Sequence, residues 1–304
     1  LGALSDHLKA HFFVRVFNRL RHLTRRNSER GSRRNISAHY DLGNDFYELW
    51  LDSTMTYSSA IFADPEEDLE QAQTRKYQQL LASLGASPGQ HILEVGCGWG
   101  GFAEHAARQG YRVTGVTLST EQLAWAQKRI VDAGLDDLVD LRLQDYRHIE
   151  EQFDHIVSIE MFEAVGESYW PSFFDTLFAR LKPGGRIALQ TITISHAYFD
   201  QYRQNVDFIQ RYIFPGGMLP SPEVFADHVK QAGLYLERAE SYGKDYEKTV
   251  LAWHQRFNDV VHQVEHLGYD DAFIRMWRYY LSYCEAGFKD GRTSVYQYLM
   301  SKPT

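Results

Sequence analysis

Cysteine is almost absent: the 304 residues contain two, Cys97 and Cys284. Two thiols exclude a disulfide-stapled scaffold and a multi-cysteine zinc site. Apolar runs of about eighteen residues, the length that spans a bilayer as a helix, are missing too. No signal-peptide pattern follows Leu1, and there is no internal repeat or low-complexity stretch, so the expectation is a folded, cytosolic protein. Positive charge is in short supply, and the net of −8 argues against a nucleic-acid binder. What the chain does hold is core material. With 44% hydrophobic residues over this length, one large domain, alone or with a smaller attached piece, can stabilise itself without a covalent staple.

The charge is unevenly placed. Residues 1–34 carry nine basic side chains against Asp6 and Glu29, a local net of +7, which leaves −15 on residues 35–304. Within that segment Leu4, Leu8, Phe12, Val16 and Leu20 recur every four residues, the apolar stripe of an amphipathic helix with arginines opposite. Two readings stand: a helix that docks on its own domain, or one that lies on an anionic membrane surface.

A regular alternation of strands and helices starts near residue 90. Glu66 to Leu84 reads as a helix stopped by Gly85, and His91–Val95 as a short apolar strand followed at once by glycines. Helices are expected at Phe102–Gln109, Thr120–Ala133 and Pro171–Leu181. Strands are expected at Arg112–Val116, Val139–Leu143, Asp154–Ile159 and, after the turn Lys182-Pro-Gly-Gly185, Arg186–Ile192. This alternation predicts an α/β fold with a parallel, doubly wound sheet. Ser195–Pro220 is too long and too aromatic for an ordinary connection and reads as a cover over a site. Tyr246–Gly268 and Asp271–Phe288 read as further helices and Val295–Met300 as a closing strand.

Gly96-Cys-Gly-Trp-Gly-Gly101 follows a strand and opens a helix, so backbone N–H groups can approach a ligand closely. Gly96, Gly98 and Gly101 satisfy the dinucleotide spacing, yet the second strand ends Gly115-Val-Thr117 without the ribose-binding acid. Glu94 stands before the glycines instead. With Leu181-Lys-Pro-Gly-Gly185 downstream, the pattern resembles the S-adenosylmethionine site of class I methyltransferases. Further segments narrow the resemblance: His39-Tyr-Asp-Leu-Gly-Asn-Asp-Phe-Tyr47, Met55-Thr-Tyr-Ser58, Val116-Thr-Leu-Ser119, Met161-Phe-Glu-Ala-Val-Gly166 and Tyr212-Ile-Phe-Pro215. In order and spacing these resemble the cyclopropane fatty acid synthase family, which includes the mycolic acid cyclopropane synthases, over roughly residues 35–304.

The resemblance implies a Rossmann-like class I methyltransferase sheet at 35–304, with a basic helical extension at 1–34 and substrate-cover insertions at 195–220 and 245–290. It implies S-adenosylmethionine as cofactor, with Tyr57 and Ser58 closing over it and Glu94, Gly96, Cys97, Gly98, Gly100 and Gly101 holding its amino acid and ribose parts. Thr117, Leu118 and Gln122 fall on the ribose–adenine side, and Asp145 and Tyr146 where adenine is bracketed. A base must remove a proton after methyl transfer to an alkene. In the family this is ascribed to a bound bicarbonate, whose ligands correspond here to Ser59, Glu163, Gln190, Ile192 and Tyr246. Ser59 replaces the family cysteine and Gln190 the histidine, which weakens bicarbonate binding without abolishing the hydrogen bonds. Glu160 stands where ring-forming members usually have glycine. It reads either as a built-in base that substitutes for bicarbonate or as a carboxylate that forms a salt bridge or points to solvent. His39 reads as a lesser base candidate or as a lid residue.

The implied reaction is C-methylation of cis double bonds in phospholipid acyl chains, with a cyclopropane, methyl-branched or methylene-branched product. The implied setting is the cytoplasm, peripheral on the inner membrane face, with no metal, no nucleic-acid partner, and a homodimer as an open alternative. Against this stand an O- or N-methyltransferase of a soluble small molecule and an inactive lipid binder. His254, His262 and His266 lie on one helix and read as a solvated face.

Overall fold

The structure, a computed structural model, describes residues 31–32, 42–64 and 66–304. Most of the basic segment 1–34, and His39, lie outside the described residues.

Five strands run parallel: β1 (His91–Val95), β2 (Arg112–Thr117), β3 (Val139–Leu143), β4 (Phe153–Ile159) and β5 (Leu181–Ile194). Two more complete the order β3-β2-β1-β4-β5-β7-β6, namely β6 (Tyr235–Ser241) and β7 (Thr293–Ser301). The sheet is therefore not wholly parallel as expected: β7 lies antiparallel to both β5 and β6. The expected turn at Lys182–Gly185 is absorbed into β5, beside a register irregularity between Phe153 and His155. Strands β1, β2 and β4 are buried along almost their whole length, as strands covered on both faces require, whereas β3 at the sheet edge alternates buried and exposed residues.

Helices α1 (Asn44–Glu48), α2 (Leu69–Ser83), α3 (Gly101–Ala107), α4 (Thr120–Asp132) and α5 (Trp170–Arg180) precede β5. After it come α6 (His196–Gln204), a π-helical turn at Ile209–Ile213, α7 (Pro222–Gln231), α8 (Gly243–Asp259), α9 (Val261–His266) and α10 (Asp271–Lys289). The long helices start where their caps dictate. Asp68, Ser119 and Asp270 each accept a hydrogen bond from a first-turn N–H of the helix that follows. The helix expected over Tyr246–Gly268 breaks at Val260, whose φ of −110° and ψ of 12° are not helical, giving α8 and α9.

One core fills the α5/α7 face around Phe153, Phe162, Trp170, Phe173 and Phe225, and another fills the α2/α3 face. The third is aromatic and sits above the sheet's carboxyl ends. There α1, α8 and α10 bring Phe46, Tyr47, Trp50, Trp253 and Trp277 into ring contact, with Phe46 to Trp277 at 5.0 Å and Trp50 to Trp253 at 5.9 Å. Between this roof and the strand ends lies a cavity of about 790 Å³. It opens at β1/β4, where the strand order reverses, the place at which open α/β sheets bind ligands.

Candidate active site

One half of the cavity is built from the glycine loop after β1. Gly96, Gly98 and Gly100 all have positive φ, and a Cβ on Gly96 would come within 2.8 Å of Met161. The N–H groups of Gly96 and Cys97 both donate to the Val116 carbonyl at 3.0 Å, which clamps the loop to β2. Gly100 does not reach the cavity; its missing Cβ instead lets α3 approach Ala126 of α4, 3.0 Å away. Cys97 is buried, and burial pushes its thiol well above the ordinary range, so it is no nucleophile.

Glu94 lines this half and is 2% exposed, with Oε2 unpartnered and its carboxyl pushed well up by burial. A buried acceptor without a partner fits a ligand that brings amine or hydroxyl donors. Thr117, Leu118, Gln122, Asp145 and Tyr146 line the same half, with Tyr57 and Ser58 opposite. Thr117 donates to Gln122 Oε1 at 3.3 Å, and Asp145 is paired with Arg147 at 2.6 Å. Burial raises the Asp145 carboxyl, but the Arg147 hydrogen bonds outweigh it and hold the group below its usual range. These residues fit the amino acid, ribose and adenine parts of S-adenosylmethionine.

The other half is organised by carboxylates. Glu160 directly follows β4 with a φ of 49°, a left-handed conformation that is strained for a residue with a side chain. Its N–H donates to the Gln190 carbonyl at 2.8 Å, and the turn aims the carboxylate into the cavity. Three donors converge on it. Ser59 N–H and Gln190 Nε2 reach Oε1, each at 2.8 Å, and the Tyr246 hydroxyl reaches Oε2 at 2.6 Å. Gln190 is itself oriented by Gln297 Nε2, which donates to its Oε1 at 2.9 Å. Ser59 and Gln190 are fully buried behind Glu160 and take no part in the cavity wall, whereas Glu163, Ile192 and Tyr246 face it. Three of the five residues expected to hold bicarbonate, Ser59, Gln190 and Tyr246, thus donate to a side chain of the protein itself.

Glu163 accepts the Ile192 N–H on Oε1 at 2.5 Å, and its Oε2 is buried without a partner. Burial, reinforced by the charge of Glu160, pushes its carboxyl up to about 8. Burial raises Glu160 as well, but its donors and the Lys76 ammonium oppose the rise. The two carboxyls titrate as a pair, with the proton on Glu163 and the negative charge on Glu160. The folded state therefore holds an extra proton on Glu163 between 4.5 and about 8, and stability falls as pH rises through that window. Glu163→Gln should flatten this fall in denaturation midpoints measured across the same window.

Lys76 was not singled out from the sequence. It is 0% exposed on α2, and burial pulls its amine down to about 7 against the charges of Glu160, Asp52 and Glu94. Its Nζ donates to Ser58 Oγ at 2.5 Å and Gln73 Oε1 at 2.7 Å, while Gln73 Nε2 donates to the Ser58 carbonyl at 2.8 Å. The strap Tyr57–Ala60 is pinned further by the Tyr57–Tyr280 hydroxyl contact at 2.7 Å and by Ala60 N–H to Thr249 at 3.1 Å. Trp253, Tyr280 and Phe214 complete the aromatic wall. The sequence signal for Lys76 was its place in the apolar stripe Leu69, Ala72, Lys76, Leu80, where a solvated lysine does not belong. His262 is exposed and hydrogen-bonds Glu265, and no His, Cys, Asp and Glu cluster suited to a metal occurs among the described residues.

Residues 27–298 match the family model described as mycolic acid cyclopropane synthetase. The chain is 43% identical over 277 residues to tuberculostearic acid methyltransferase UfaA1 of Mycobacterium tuberculosis, covering 88% of this chain and 65% of that protein. It is 38% identical over 266 residues to cyclopropane-fatty-acyl-phospholipid synthase of Escherichia coli, covering 87% and 66%. Against these two curated relatives the chain spans about two thirds of their length. Among solved structures, mycolic acid cyclopropane synthase CmaA1 complexed with SAH and CTAB superposes with a TM-score of 0.83 at 31% identity, covering 89% of this chain and 98% of that one.

Proposed function

Because the chain belongs to the mycolic acid cyclopropane synthetase family of S-adenosylmethionine-dependent methyltransferases, we propose that it methylates the cis double bond of an unsaturated phospholipid acyl chain, with Glu160 as the base. The observation that carries this reading is the convergence of Ser59, Gln190 and Tyr246 on a single carboxylate that faces the cavity. Support for the substrate class comes from the E. coli relative, named for a fatty-acyl phospholipid, and from the aromatic cavity wall.

S-adenosylmethionine supplies an electrophilic methyl group. Glu94 and the backbone of Gly96 and Gly98 hold the amino acid end, and Tyr57 and Ser58 close over it. The faces of Trp253, Tyr280 and Phe214 exclude water and stabilise positive charge that develops on the methylated acyl chain. Glu160 Oε2, released from the Tyr246 hydroxyl, takes the proton that the chain must lose and becomes a neutral acid. Glu163, already protonated, adds no competing negative charge. Where Glu160 reaches decides the product. A proton taken from the new methyl carbon closes a ring; the same proton taken after a hydride shift gives a methylene branch; a chain proton gives a methylated alkene. A carboxylate fixed to the end of β4, in place of an exchangeable anion, favours a branched product.

Incubation with S-adenosylmethionine and vesicles of a cis-monounsaturated phospholipid tests this, by mass spectrometry of the released fatty acids. A gain of one CH₂ with the chromatographic behaviour of a branched chain is expected. A ring product would mean that the proton is taken from the new methyl carbon and would overturn the branched-product assignment, and no gain on any lipid would turn the search to soluble methyl acceptors. We further propose that the basic segment 1–34 contributes to membrane attachment. Its removal should weaken vesicle binding, most visibly at low salt.

A further inference from the structure

Among the described residues five tyrosines are exposed, and four of them, Tyr198, Tyr212, Tyr279 and Tyr283, gather on α6, the π-helical turn and α10 at one mouth of the cavity. Their exposures run from 38% for Tyr283 to 54% for Tyr279. Phe208 links three of them, with ring centroids 4.6 Å from Tyr279, 5.3 Å from Tyr212 and 6.1 Å from Tyr283. Tyr198 and Tyr283 also line the cavity, so the rim is continuous with its inner wall.

Guanidinium groups accompany the rings. Arg211 lies over Tyr212 at 5.1 Å, and Arg292 over Tyr198 at 5.0 Å, with Arg292 also 3.9 Å from Asp290. Arg211 and Arg275 are exposed and have no acidic partner among the described residues. Residues 196–217 and 271–292 carry six Arg and Lys against five Asp and Glu, in a chain whose net charge is −8. Exposed guanidinium groups without an acidic partner, set among exposed aromatic rings at one opening of an acidic protein, are complementary there to phosphate. Tyrosines with a wet hydroxyl and an apolar ring suit the boundary between headgroups and acyl chains.

We propose that this rim docks on a phospholipid bilayer, so that an acyl chain passes from the membrane into the cavity without crossing water. The inference rests on the lipid reading above and adds to it a surface distinct from the segment 1–34. Two measurements on the full chain test it. First, sedimentation with vesicles of dioleoylphosphatidylcholine and dioleoylphosphatidylglycerol compares wild type with Tyr212→Ser/Tyr279→Ser and with Arg211→Gln/Arg275→Gln, none of which lines the cavity. Each pair should weaken binding about tenfold, while turnover on the same phospholipid dispersed in detergent micelles stays within about twofold. Second, an environment-sensitive fluorophore on Ser282→Cys, exposed on the rim face of α10, should shift to the blue on vesicles. The same label on Tyr235→Cys, at the far edge of the sheet, should not.

Unchanged vesicle binding in both variants together with a silent label at 282 would overturn the rim and assign that face to a protein partner, such as an acidic acyl carrier. Equal loss on vesicles and micelles would overturn it too, by placing the residues in the chemistry or the folding. Sedimentation and fluorescence need no turnover. A wild-type protein that binds through the rim but converts no lipid would uphold this inference and sink the proposed reaction.

Discussion

Glu160→Gln is expected to lower turnover by about a thousandfold, the usual span of a positioned general base, while cofactor affinity changes little. The amide keeps the shape of the carboxylate, and its oxygen still accepts from Ser59 N–H and Gln190. It cannot take a proton. Glu160 lies apart from the Glu94–Gly101 half of the cavity, so calorimetric titration with S-adenosylhomocysteine should give near wild-type binding. The comparison that decides is turnover per folded, cofactor-competent molecule. Near-normal turnover in this variant would end the built-in-base reading, whatever the product.

Lys76→Met should act through pH. Among the described residues the Lys76 ammonium is the cation whose charge opposes the rise in the Glu160 carboxyl, and below about 7 it is protonated. Glu160 serves as a base only when ionised, so turnover rises with pH through its titration. Without the ammonium, burial is opposed only by the hydrogen-bond donors among the described residues, the carboxylate takes up its proton at higher pH, and the acid limb of the profile moves up. Turnover on the acid limb should fall about tenfold and recover in alkaline buffer. A purely structural role for Lys76 predicts a loss that alkaline pH does not restore. Lys76→Met also removes an amine that is lowered on folding. Between about 7 and 10.5 the unfolded chain binds the extra proton, so wild-type stability gains with rising pH there, and the variant should lose that gain.

Much of the fold was legible because its signals are local. His91–Val95, Val139–Leu143 and the caps Ser119 and Asp270 declare themselves within a few residues. Strand β6 does not. Its sequence Tyr-Leu-Glu-Arg-Ala-Glu-Ser is exposed along nearly its whole length and is held at the sheet edge by pairing with β7, a contact about sixty residues distant that no local pattern announces. Nor does a strand's sequence state its direction, which is why the closing strand was expected at Val295–Met300 but its antiparallel course was not. In the site, the glycine loop could be read as a motif, and Glu160 stood out as a departure from the family pattern. Its partners could not be read as partners, because Ser59, Gln190 and Tyr246 lie 101, 30 and 86 residues away along the chain.

The left-handed turn at Glu160 has a genetic corollary. Its φ of 49° is one that glycine adopts freely and glutamate tolerates at a cost of about 1–2 kcal/mol. Glycine codons GGA and GGG become glutamate codons by a single base change. A backbone already shaped for glycine at the end of β4 therefore needs no rebuilding to accept a carboxylate. On the proposed reading, the step from a borrowed anion to a covalently held base lies one point mutation away, and the route is open in both directions.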